Sequence, residues 1–141
     1  MDTSHPLDPI VATWRTSGRV LDRGGAEIMR VDGTDAYEWM PGRRWVVHHV
    51  DVRMGDDRTR AIELIGDPTA DGVFTMRAFD ASGAYDEMTL TVDGRTFRTQ
   101  GGGVRNLLTV ADDGATMAVV WERRSGDGGW YRWMELDFTR G

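Results

Sequence analysis

Asp35, His48 and Glu63 are the side chains in this sequence best able to carry out chemistry. The turns between their segments predict that the three lie side by side on neighbouring strands and point to the same face of a sheet. Opposed residues on antiparallel strands have Cβ atoms about 4.5–5.5 Å apart, which allows direct hydrogen bonds. Such a row can supply a general acid and base, with Asp35, His48 and Glu63 as the catalytic residues, or can orient a ligand. A third interpretation is a buried polar network whose members satisfy one another.

The elements that position these residues are strand-like segments with alternating apolar residues, separated by turns rich in Gly, Asp and Pro. No segment has a convincing apolar period of 3.6 residues, so the pattern indicates an all-β chain. The predicted strands span residues 13–21, 26–40, 43–53, 58–66, 73–80, 84–92, 95–100, 104–110, 115–124 and 129–140.

Tight turns predict which residues lie opposite each other. The Gly55-Asp56 turn pairs His48 with Glu63, and the Pro41-Gly42 turn pairs Asp35 with His48. The same reasoning predicts further pairs: Tyr37 with Val46, Val46 with Ile65, Ile65 with Phe74, Glu63 with Met76, Met76 with Met88, Leu90 with Phe97, and Leu108 with Met117. These pairings place the apolar residues on one face and most arginines on the other, a separation that a one-residue slip would destroy.

A ten-strand meander with one apolar face must hide that face, and closure into a barrel also removes both sheet edges. We therefore predict a closed antiparallel up-and-down β-barrel, with a two-sheet sandwich as the main alternative. Residues 1–141 form a single domain in which residues 1–9 are a loose N-terminal segment and a short turn before the first strand plugs one end. The predicted ligand-binding residues inside the barrel are Tyr37, Trp39, His48, Glu63, Met76, Met88, Trp121, Arg132 and Met134.

The composition excludes several classes of partner and chemistry. A formal net charge of −6 argues against nucleic acid, because phosphate binding needs a clustered positive field. The absence of cysteine removes thiolate metal sites and disulfides, and the absence of lysine removes Schiff-base chemistry on a side chain. A flat row of Asp35, His48 and Glu63 is a poor metal site, so no metal is expected.

Hydropathy indicates where the protein works. No apolar run is long enough to cross a membrane, and no charged start followed by an apolar stretch marks a secretory leader. We expect a cytoplasmic protein that has no membrane partner.

Both ends of the strand region carry a family resemblance. Ala12-Thr13-Trp14 resembles the Gly-x-Trp opening of lipocalin and calycin barrels, with Ala in place of Gly, and Thr139-Arg140 resembles the basic residue that packs over that Trp. The stretches DAYEWMPGRRWVVHHVD, AIELIG and GGWYRWMELDFTR resemble a family of lipocalin-like bacterial proteins of unknown function. The resemblance spans residues 10–140 and implies a calycin barrel without an established activity.

Two better understood calycin groups lead to contrasting expectations about cofactor binding and enzymatic activity. Nitrobindin-like barrels are more distantly similar and hold haem through a histidine on a late strand. This chain has histidine only at positions 5, 48 and 49, so haem is not expected and no cofactor is predicted. Phenolic acid decarboxylases resemble the chain faintly around Tyr37-Glu38-Trp39, which keeps an enzymatic function open.

These observations favour binding of a small, largely hydrophobic molecule in the barrel lumen, oriented by the inward polar row. The alternative is an enzyme that uses the same lumen for acid-base chemistry, as an isomerase, cyclase or decarboxylase. A barrel filled by its own side chains, acting as an interaction module, is a third possibility. We expect a monomer or homodimer.

Overall fold

The strands seen in the computed structural model, which describes residues 5–141, form one closed barrel. Each strand pairs antiparallel with the next one in the sequence, and the first pairs with the last. This confirms the predicted all-β, up-and-down, ten-strand barrel. The strands are β1 (Thr13–Leu21), β2 (Glu27–Trp39), β3 (Trp45–Met54), β4 (Asp57–Ala70), β5 (Val73–Asp80), β6 (Tyr85–Asp93), β7 (Thr96–Gly101), β8 (Val104–Val110), β9 (Thr116–Arg124) and β10 (Trp130–Arg140).

The alternation of apolar and polar residues determines which side chains enter the barrel. Successive side chains of a strand point to opposite faces, so every second residue reaches the interior. The buried inward residues include Val46, Ile65, Phe74, Leu90, Phe97, Val119 and Phe138.

Among residues 5–141, no helix is long and apolar enough to cross a membrane.

Hairpin registers agree with the prediction at two turns and differ by two residues at four others. His48 lies opposite Glu63 and Met76 lies opposite Met88, as predicted. The other turns are longer than the assumed loops; between β2 and β3, for example, Arg43 adopts a positive φ of 54°. A shift of two residues leaves every side chain on its predicted face. The corrected pairs are Tyr37 with His48, Asp35 with Val50, Glu63 with Ala78, Ile65 with Met76, Leu90 with Thr99, and Leu108 with Val119.

One end of the barrel is closed by the segment before β1. Residues Asp8–Ile10 form a 3-10 turn, and Leu7 and Ile10 are 1% and 3% exposed within the main apolar core. The Trp14 indole N–H donates to the Ile10 carbonyl at 2.9 Å, and the Arg140 guanidinium lies 5.3 Å from the Trp14 ring centroid. The predicted plug is therefore confirmed, but the description of residues 1–9 as loose is wrong for residues 5–9. Residues 1–4 lie outside the described part of the chain.

A bulge in β10 changes the alternation near the other end. Arg132 pairs with Glu122 whereas Met134 pairs with Trp121, so Trp133 is one extra residue in the ladder. An inserted residue reverses the inside and outside assignments on one side of the bulge. Arg132 consequently lies on the outer face.

Candidate functional site

A cavity of about 220 Å³ occupies the barrel lumen. It is larger than the ~150 Å³ apolar cavity that admits benzene, so it has room for one ring with a short substituent. Most of its wall is aliphatic or aromatic. The lining residues are Ile10, Val31, Asp35, Tyr37, His48, Val50, Val52, Met54, Ala61, Glu63, Ile65, Met76, Leu90, Phe97, Thr99, Asn106, Leu108, Val119, Trp121, Met134, Leu136 and Phe138.

The predicted polar row lies in this wall, on β2, β3 and β4. His48 Nε2 is 2.7 Å from Asp35 Oδ1, and His48 Nδ1 is 2.5 Å from Glu63 Oε1. His48 and Asp35 are 6% and 5% exposed, and the Glu63 side chain is 15% exposed. The three residues therefore meet as expected, although Asp35 reaches His48 diagonally and not as its direct cross-strand partner.

Two neighbours hold the row in place. The Thr16 hydroxyl on β1 donates to Asp35 Oδ2, so both Asp35 oxygens have donors. The Tyr37 ring stacks on the His48 ring, with centroids 3.8 Å apart and planes 14° from parallel. Neither Thr16 nor the stacking followed from the sequence, because both depend on registers that the turns did not reveal.

Electrostatics favour a protonated histidine here. Burial alone would lower the pKa of His48, but the charge of Glu63 and the hydrogen bonds that the ring donates to both carboxylates overcome it and raise that pKa to about 9. Burial raises the pKa of Tyr37 well above its usual value, and the charges of Asp35 and Glu63 act in the same direction. These shifts favour a protonated imidazole and a neutral phenol at neutral pH.

Four polar groups of the lining make no side-chain hydrogen bond among residues 5–141. They are the Tyr37 hydroxyl, the Thr99 hydroxyl, the Asn106 side-chain amide and the Trp121 indole N–H, and Tyr37 and Thr99 are 8% and 3% exposed. Thr99 and Asn106 are cross-strand partners on β7 and β8, five strands around the ten-strand barrel from β2 and β3. The cavity therefore has polar groups on two opposite walls. Thr99 was not among the predicted binding residues, although its spacing of two residues from Phe97 predicts that it points into the barrel.

The structure places six of the nine predicted binding residues in the cavity wall. They are Tyr37, His48, Glu63, Met76, Trp121 and Met134.

The other three do not line the cavity. The Trp39 indole lies at the plugged end, where its N–H donates to Asp8 Oδ1 at 3.1 Å. Met88 is buried, but its side chain lies against the space that a Cβ on Gly101 would fill. Arg132 is exposed because of the β10 bulge and pairs with Glu135 at 3.3 Å.

The arrangement of the row does not suit a metal ion. The two carboxylates contact different nitrogens of the His48 ring, so the three side chains do not converge on one point. In the described part of the chain, no group of three or more His, Cys, Asp or Glu side chains is placed to hold a metal ion.

No protein-family model matches this chain, and no curated protein sequence matches it. The resemblance to lipocalin-like barrels therefore stays a prediction.

Proposed function

We propose that this protein binds a small, largely apolar molecule of single-ring size inside its barrel. The observation that carries the proposal is the internal cavity of about 220 Å³, whose wall is apolar except for a few polar groups. Binding sites for small molecules commonly combine such a wall with a few polar groups that fix orientation. Here the Asp35–His48–Glu63 row and the Thr99–Asn106 pair supply those groups.

Calorimetric titration with toluene and phenol tests the proposal. We expect saturable binding of one molecule per chain. Ala61 lines the cavity, so Ala61→Leu adds bulk to the wall and should weaken binding at least about tenfold. Ala118→Leu, on the outer face of β9, is the matched control and should bind as the wild type does. Failure of both probes to bind the wild-type protein would overturn the proposal and favour a filled barrel.

A second candidate function is acid-base catalysis on a hydrophobic substrate in the same lumen, of the isomerase, cyclase or decarboxylase type. The pairing of His48 with two carboxylates favours it, because such pairs shift pKa values toward those of catalytic groups. Both His48 nitrogens are engaged by the protein, so the open oxygen of Glu63 is the atom best placed to touch a substrate. His48 would then act as a positioning residue.

This second function has its own test. For any substrate turned over, Glu63→Gln should lower kcat at least about 100-fold, the usual scale of acid-base catalysis. Glu38→Gln, on the outer face of β2, should leave kcat unchanged. Equal activity of the two variants would exclude Glu63 as the acid or base.

We further propose that the chain is a cytoplasmic bacterial member of the lipocalin-like barrels, acting as a monomer or homodimer without a bound cofactor. The Trp14–Arg140 contact across the plugged end supports that kinship. Cell fractionation and analytical ultracentrifugation test the location and the oligomeric state.

A further inference from the structure

The cavity wall carries an unbalanced set of ionisable groups. Its acidic members are Asp35 and Glu63, its only histidine is His48, and no arginine of the described chain lines it. Near the barrel ends, Arg132 pairs with Glu135 at 3.3 Å on the outer surface, and the Arg123 guanidinium lies 3.9 Å from the Trp133 ring centroid.

Hydrogen bonding determines how many protons this set holds. A neutral imidazole has one N–H, yet both His48 nitrogens lie within hydrogen-bonding distance of a carboxylate oxygen. One additional proton must therefore be shared among the three groups. Whether it resides on the ring or on a carboxyl, the row carries a net charge of −1.

The row also has one acceptor without a donor. Asp35 receives hydrogen bonds on both oxygens, from His48 and Thr16, whereas Glu63 is bonded only through Oε1 among residues 5–141. The Tyr37 hydroxyl beside it is also unpaired within this range, although Tyr37 is 8% exposed. A charged acceptor in an apolar cavity is unfavourable unless a donor reaches it.

We propose that the lumen selects a small ring compound that carries a protonated amine, which donates to Glu63 Oε2, and rejects carboxylates of the same size. The inference rests on the proposed binding function. The amine supplies both the missing donor and the opposite charge, and the ring packs against the apolar wall formed by residues such as Ile65 and Phe97. Thr99 and Asn106 on the opposite wall are neutral and do not offset the charge.

Calorimetric titration with benzylamine, benzyl alcohol and benzoate at pH 7 tests the inference. These probes share one ring and differ in the charge of a short substituent. We expect benzylamine to bind at least about tenfold more tightly than benzyl alcohol and benzoate to bind most weakly, because a unit charge a few ångströms away in a partly dry site has a large effect. Glu63→Gln should bring the affinities for benzylamine and benzyl alcohol close together, and Glu38→Gln should preserve the wild-type order.

Two negative results have different meanings. If toluene binds but benzylamine binds no better than benzoate, the amine preference is wrong and the proposed binding function stands. If neither toluene nor phenol binds, the binding function fails and the preference, which rests on it, fails with it. The wild-type order alone is decisive, so the test stands even if Glu63→Gln does not fold.

Discussion

The His48 ring lies flat against the Tyr37 ring, with centroids 3.8 Å apart and an interplanar angle of 14°. The two residues are direct cross-strand partners on β3 and β2. The stack fixes the plane of the imidazole, so that one nitrogen meets Asp35 and the other meets Glu63. The geometry of the polar row thus depends on an aromatic neighbour inside the same cavity.

The raised pKa of His48 predicts a specific dependence of stability on pH. A histidine with a pKa of about 9 in the folded state and about 6.5 in the unfolded chain stabilises the fold fully below pH 6.5. That contribution, about 3 kcal/mol, is lost as pH rises through 9. Urea denaturation from pH 6 to pH 9.5 should show this decline in the free energy of unfolding.

His48→Gln should remove the decline, since glutamine does not titrate. His49→Gln is the matched control, because the adjacent His49 is exposed on the outer face, and it should keep the wild-type slope. A slope unaltered by His48→Gln would show that His48 is not the titrating group.

Removing one carboxylate from the row should strongly destabilise the protein. Asp35→Ala leaves an N–H of His48 and the Thr16 hydroxyl without their partner in a buried site. We expect a loss of about 3–5 kcal/mol in the free energy of unfolding, the usual cost of breaking a buried ion pair. Asp32→Ala, on the outer face of the same strand, should change it little. Similar losses in the two variants would contradict a central role for the row.

The close approach of the β3 backbone to Gly33 on β2 leads to a third prediction. Gly33 has a φ of 153°, and a Cβ there would lie 2.3 Å from the Asp51 carbonyl oxygen of β3. Gly33→Ala should therefore destabilise the barrel by about 2 kcal/mol or more in thermal or chemical unfolding. Gly126→Ala, where the added Cβ meets nothing within 4 Å, should be near neutral. A neutral effect at Gly33 would mean that β2 and β3 do not approach so closely.

The N-terminal plug can be tested through Leu7, which is 1% exposed. Leu7→Ala should cost about 2–5 kcal/mol, as expected for a large-to-small change in a packed core. Leu107→Ala, on the outer face of β8 and 37% exposed, is the control and should cost far less. If Leu7→Ala were as mild as Leu107→Ala in urea denaturation, the segment before β1 would not be part of the core.

Much of this fold and part of the site were accessible from the sequence. The faces of the strands could be predicted because side chains alternate, and errors of two residues in the hairpin registers preserve that alternation. His48 therefore fell beside Glu63, and Asp35 fell in the same wall, even though Asp35 was assigned the position that Tyr37 occupies.

The failures have local causes that composition does not reveal. The bulge at Trp133 moved Arg132 outside. A hydrogen bond to Asp8 holds Trp39 at the plugged end, and the missing side chain of Gly101 provides the space in which Met88 packs. Alternation predicts which face of the strand a residue occupies. It does not predict the position of the residue along the barrel axis or the space into which its side chain packs.

The most direct test of the account is a methyl NMR titration of methionine-labelled protein with toluene. Met76 and Met134 line the cavity, whereas Met40 is exposed between β2 and β3. We predict saturable shifts and intermolecular nuclear Overhauser effects for the Met76 and Met134 methyl groups, and no change for Met40. An unchanged spectrum at saturating toluene, or shifts confined to Met40, would contradict an open lumen that binds small apolar molecules.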